Sequence, residues 1–130
     1  TRIPHTRSCH VSWARRCVLE SGVFFPGNDK RHKEIAEKQM DGFGGMMSFV
    51  IDSDINGVKT FLKNLNLFTL AESLGGVESL IEHPAIMTHA SIDPSIREKL
   101  GISETLLRIS VGIEDVDDLI SDLDQALSKI

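Results

Sequence analysis

The sequence predicts an α/β (α+β) chain in which helices pack on one face of a small sheet. Three observations carry that expectation. Val116, Leu119, Ile120, Leu123, Leu127 and Ile130 recur at helical spacing and form one apolar stripe near the end of the chain. MMSFVI (46–51) and TLLRISV (105–111) are short apolar runs of strand length. Between them the sequence alternates helix and strand patterns, and such elements bury their apolar sides by layering.

The elements follow in order. KRHKEIAEKQM (30–40) reads as a helix capped by Asn28 or Asp29, and DGFGGM breaks it. The strand 46–51 comes next. Asp52, Ser53 and Asp54 offer caps for a second helix, in which Ile55, Val58, Phe61, Leu62 and Leu65 share a face. LFTL (67–70) is a short strand, Gly75 and Gly76 mark a tight backbone feature, and Pro84 interrupts a further possible strand. Asp93 and Pro94 open a short helix that Gly101 ends. The strand 105–111 precedes the last helix, whose Asp117, Asp118, Asp122 and Asp124 lie outside the apolar stripe, with Glu114 and Asp115 at its positive end.

Composition narrows the function. The chain has 130 residues, the length of one ordinary domain, and is 41% hydrophobic and 25% charged, which suits a packed core. A net charge of −5 gives no electrostatic support for nucleic-acid binding. Apolar runs fall short of the roughly 20 residues that span a bilayer, so no membrane partner is expected. No apolar stretch follows the basic first residues, and two cysteines make no disulfide framework; a cytoplasmic setting is expected.

Residues 1–22 form an atypical segment with four arginines, both cysteines and the only tryptophan. His5, Cys9, His10 and Cys17 are zinc-ligand types, but they lack paired C-x₂₋₄-C spacing, and no metal is expected. Ser73 before Gly75 and Gly76 could present a hydroxyl from a loop or simply complete a turn; without a G-x-S-x-G elbow it is no hydrolase nucleophile. His83 and His89 lack H-E-x-x-H spacing and read as structural. Arg108 stands in the apolar strand, with Leu106 and Ser110 on its side and Leu107, Ile109 and Val111 on the other. A guanidinium there needs an anion. A ligand carboxylate gripped in bidentate fashion and a salt bridge to one of the chain's own acids both satisfy that need.

From about Val23 to Ile130 the sequence resembles the Cys/Met-metabolism pyridoxal-phosphate (PLP) enzymes, a family that includes cystathionine γ-lyase, γ-synthase and β-lyase and methionine γ-lyase. FFPG, HKEIAEKQM, GFGGMMSFV, LFTLAESLGGVESLIEHPAIMTHASI and GISETLLRISVGIEDVDDLISDLDQAL carry the resemblance. It implies that residues 23–130 are the small C-terminal domain of a fold-type I PLP enzyme, with an antiparallel sheet and helices on one face. AESLGG points to γ-lyase, with γ-synthase as the alternative. The implied reaction converts cystathionine to cysteine, 2-oxobutanoate and ammonia in a homotetramer.

By the same resemblance Arg108 grips the substrate α-carboxylate and Ser73 binds beside it. Glu72 bears on substrate choice, and Glu82 and Thr88 stand at the site wall. The family's Schiff-base lysine sits in a T-K-Y-like setting. None of Lys30, Lys33, Lys38, Lys59, Lys63, Lys99 and Lys129 does, and the chain has no tyrosine. PLP is therefore expected in the full-length enzyme and not in this chain alone. A second expectation is a non-catalytic truncated paralogue that acts as an interaction module. ARRCVLES resembles the end of a family helix, but its link to GVFFPG is shortened.

Overall fold

The computed structural model describes residues 22–28 and 32–130. Strands β1 (Val23–Phe24), β2 (Met46–Val50), β3 (Thr69–Leu70), β4 (Leu80–Glu82) and β5 (Leu106–Ser110) form one sheet in the order β1-β2-β5-β4-β3. Three pairings are antiparallel and the edge pair β3–β4 is parallel. The sheet is thus mixed rather than wholly antiparallel. Thr69 and Leu70 run alongside Leu80 and Ile81 because the 71–79 loop carries the chain back across the sheet end before β4 begins.

The helices are α1 (Lys33–Gln39), α2 (Ile55–Lys63), α3 (Pro94–Lys99) and α4 (Val116–Leu127). Asp54 caps α2 by accepting from Gly57 N at 2.8 Å, and Asp93 and Asp115 cap α3 and α4. The N-cap of α1 is His32, with no side-chain cap, and not the expected Asn28; the alternative cap Asp29 lies outside the described residues, as do His5, Cys9, His10 and Cys17.

Pleating sorts the sheet's side chains by face. Phe49, Ile81, Leu107 and Ile109 join Val58 and Phe61 of α2 and Leu119, Leu123, Ala126 and Leu127 of α4 in the core. Phe49 and Phe61 meet edge to face at 6.4 Å. α2 and α4 therefore cover one face, as the apolar stripes require. α1 and α3 bury no residue. The opposite face carries Ser48, Arg108 and Glu82 in one cross-strand row.

One acid departs from the sequence pattern. Asp122, placed with the solvent-facing aspartates of α4, is only 4% exposed. It accepts from the backbone N–H groups of Asn66 (2.8 Å), Leu67 (2.8 Å) and Phe68 (3.2 Å) and from the Asn66 side chain. The turn between α2 and β3 has no strand partner for these donors, so the carboxylate collects them. Burial pushes its pKa up, but the N–H groups of Leu67, Asn66 and Phe68 outweigh that and hold it below the ordinary 3.8.

Asp122→Asn is expected to cost about 2 kcal/mol in urea unfolding. The folded-state pKa is depressed, so the carboxylate's contribution is full above the unfolded-state value, fades as pH falls and is lost below the folded-state value. The stability gap between wild type and Asp122→Asn should close over that acidic range; a gap independent of pH would refute the linkage.

Candidate functional site

The site grows from the central strand. Arg108 projects from β5 on the face away from α2 and α4, between Ser48 of β2 and Glu82 of β4. Its Nη1 lies 2.7 Å from Glu82 Oε2; the Arg108 side chain is 24% exposed and that of Glu82 1%. Oε2 has no hydrogen-bond partner of good geometry, so charge rather than an aligned N–H···O holds this pair. The other carboxylate oxygen, Oε1, accepts from the Thr88 hydroxyl, whose oxygen lies 2.8 Å from His89 Nδ1.

The second edge of the guanidinium meets the loop after β3. Arg108 Nη2 donates to the Glu72 carbonyl at 2.7 Å and approaches the Ser73 carbonyl at 3.4 Å. Residues 72–78 are all exposed. Gly75 takes φ 73, a region closed to most side chains, and its N–H donates to Ser110 Oγ at 2.8 Å.

All five residues singled out in the sequence therefore meet at one place. Two hold different postures from those expected. Glu82, anticipated as a wall residue, is buried with its carboxylate directed at Arg108 and Thr88, because a charge set into a sheet is met by the opposite strand. Ser73 reaches Arg108 through its carbonyl rather than its hydroxyl. Of the two anion readings of Arg108, the structure contains the salt bridge to one of the chain's own acids, and the arginine stays partly open. A guanidinium has five N–H donors, and those facing away from Glu82 and the loop remain for a further carboxylate. Sequence reading missed Ser110 and Glu114 as supports of the loop; a serine in register with Arg108 on a buried strand face was the available signal.

A sequence model of the family described as "Cys/Met metabolism PLP-dependent enzyme" matches residues 19–128. The chain belongs to that family. It is 57% identical over 110 residues to a cystathionine β-lyase of Lactococcus lactis subsp. cremoris, covering 84% of this chain and 29% of that protein. It is 58% identical over 107 residues to a cystathionine γ-lyase of Bos taurus, covering 81% and 26%. The fold superposes on a cystathionine γ-synthase of Xanthomonas oryzae pv. oryzae in complex with cystathionine, with a TM-score of 0.76 and 50% identity, covering 82% and 28%. Members named as β-lyase, γ-lyase and γ-synthase match about equally, so AESLGG does not separate them. The chain spans less than a third of each.

Family membership raises the question of PLP, which acts through a lysine amine aimed at it. Lys33, Lys38, Lys59, Lys63, Lys99 and Lys129 are all exposed, and among the described residues no lysine bonds to the Arg108 cluster. The described residues do not make a fitting PLP site. Among them there is also no group of acids, histidines and cysteines suited to a metal, and no helix is long and apolar enough to cross a membrane.

Removing the buried partner of the ion pair leaves Arg108 without a counter-charge. Glu82→Gln is expected to cost about 2–3 kcal/mol, and a double-mutant cycle with Arg108→Met should give a coupling of about 1–3 kcal/mol. Additive losses in urea unfolding would show that the pair does not interact.

Proposed function

We propose that this chain is the C-terminal, substrate-gripping portion of a cystathionine-processing PLP enzyme of the γ-lyase type, with Arg108 as the clamp for the substrate α-carboxylate. The observation that carries this reading is the posture of Arg108. It is anchored on one side by a buried carboxylate and on another by loop carbonyls, with N–H donors still open to solvent. Anchoring lowers the entropy cost of gripping a ligand, because the side chain is already ordered.

Each residue then has a part. Arg108 binds the α-carboxylate through parallel N–H···O bonds. Glu82 and Thr88 fix the guanidinium from below. Glu72 and Ser73 fix it from the side, and their side chains border the entering ligand. The Glu72 carboxylate, exposed at the rim, is placed to favour substrates with a distant ammonium group. Ligand class is supported by the relative crystallised with cystathionine, which carries both groups.

The cofactor, its lysine and the scission of the carbon–sulfur bond belong to residues outside those described. In the same reading the whole enzyme is a cytoplasmic homotetramer. Cleavage on the γ side of the sulfur gives cysteine, 2-oxobutanoate and ammonia, and product analysis of an enzyme carrying this chain separates that outcome from β-cleavage.

Carboxylate recognition is testable on the chain itself. L-Cystathionine should perturb the Arg108 side-chain and Ser73 backbone NMR signals, whereas its diamide, which lacks carboxylates, should not. Arg108→Ala should abolish the effect and Arg108→Lys should weaken it about tenfold or more. Equal responses to the acid and the diamide would reject the clamp. Titration with PLP should give no saturable visible band; a stoichiometric lysine adduct would place the cofactor site in this chain.

A further inference from the structure

Residues 72–78 are exposed along their whole length, so burial does not hold them in place. Yet their carbonyls fix one edge of the Arg108 guanidinium. What holds the loop is a polar seam to the segment that runs from the end of β5 into α4. Ser79, fully buried, donates its backbone N–H to Glu114 Oε1 at 2.7 Å and its hydroxyl to Glu114 Oε2 at 2.7 Å. The same hydroxyl oxygen accepts from Gly112 N at 2.9 Å. Ile113 N donates to the Val77 carbonyl at 2.9 Å. The two segments approach so closely that a Cβ on Gly112 would lie 2.2 Å from the Val77 oxygen. Burial alone raises the Glu114 pKa, but the Ser79 hydroxyl and N–H bonds outweigh it and keep the carboxylate charged.

We propose that Glu114 is a positioning residue for the Arg108 clamp. Its carboxylate fixes Ser79, Ser79 fixes the end of the 72–79 loop, and the loop's Glu72 carbonyl orients the guanidinium. Guanidinium and seam lie on one continuous stretch, 108–114, so the loop is referenced to the strand that carries the arginine. Without Glu114 the buried Ser79 N–H and hydroxyl lose their acceptor, and the loop must shift to rehydrate them. Ser110 and Val77 still tether it, so its mean position changes while the fold persists. The inference rests on the carboxylate-clamp reading for its ligand and on geometry alone for the orientation of Arg108.

The test compares Glu114→Ala with Asp122→Asn, whose carboxylate lies away from the site, and reads both L-cystathionine affinity and the solvent exchange of the Arg108 guanidinium protons by NMR. Glu114→Ala is expected to weaken binding about tenfold and to speed guanidinium exchange. Asp122→Asn, also destabilised, should keep wild-type values for both. Ser79→Ala, which removes only the hydroxyl, should move both readouts in the same direction by less and stands in if Glu114→Ala does not fold. Unchanged guanidinium exchange in Glu114→Ala, or equal losses in Asp122→Asn, would overturn the proposal. If wild type binds no L-cystathionine, the clamp reading fails on that result, and guanidinium exchange still decides the role of Glu114.

Discussion

A guanidinium set into the central strand of a sheet cannot stay buried without opposite charge, and the rest of the Arg108 site follows from meeting that need. β4 supplies the charge, because antiparallel register places Glu82 directly beside Arg108. The turn after β4 then supplies Thr88, which occupies the carboxylate oxygen that Arg108 leaves. Glu82 is almost wholly buried and its orientation is set by two partners, so it holds the arginine in an ordered position. The cost of desolvating this pair is offset by mutual attraction and by the partial exposure of Arg108.

Two other carboxylates work in a related way on backbone N–H groups. Asp122 gathers the donors of the turn between α2 and β3, and Glu114 gathers those of Ser79. Each ties a stretch without regular structure to α4 or its start. The α4 region thus serves two sides of the molecule: its apolar stripe closes the core under the sheet, and its acids pin loops at the sheet ends. In the loop nearest Arg108 residues 72–78 are all exposed, so polar seams set their geometry.

The proposed division of labour agrees with the share of the relatives that this chain spans. It carries an ordered cation with donors to spare, while its described lysines are all exposed and remote from that cation in their bonding. Recognition of a carboxylate and provision of an electron sink are separable tasks, so different segments of a protein can carry them.

Much of this was legible in one dimension. The stripe of α4, the caps Asp54 and Asp93, the acidic start of α4 at Asp115, the strands around Phe49 and Leu107, and the need of Arg108 for an anion all follow from local spacing and from elementary electrostatics. The five site residues were named through resemblance, and the fold brings them together around Arg108. What the sequence could not decide were partnerships across distance. Asp122 has the same spacing as its solvent-facing neighbours, and only the packing of α4 against the α2–β3 turn buries it. Resemblance put Glu82 at the site wall, and only strand register sets it beside Arg108. The parallel edge β3–β4 and the Glu114–Ser79 seam depend on how the 71–79 loop crosses the sheet. Periodicity reports which face of an element is apolar, whereas which polar group meets which donor is settled only when separate elements are brought within hydrogen-bond reach.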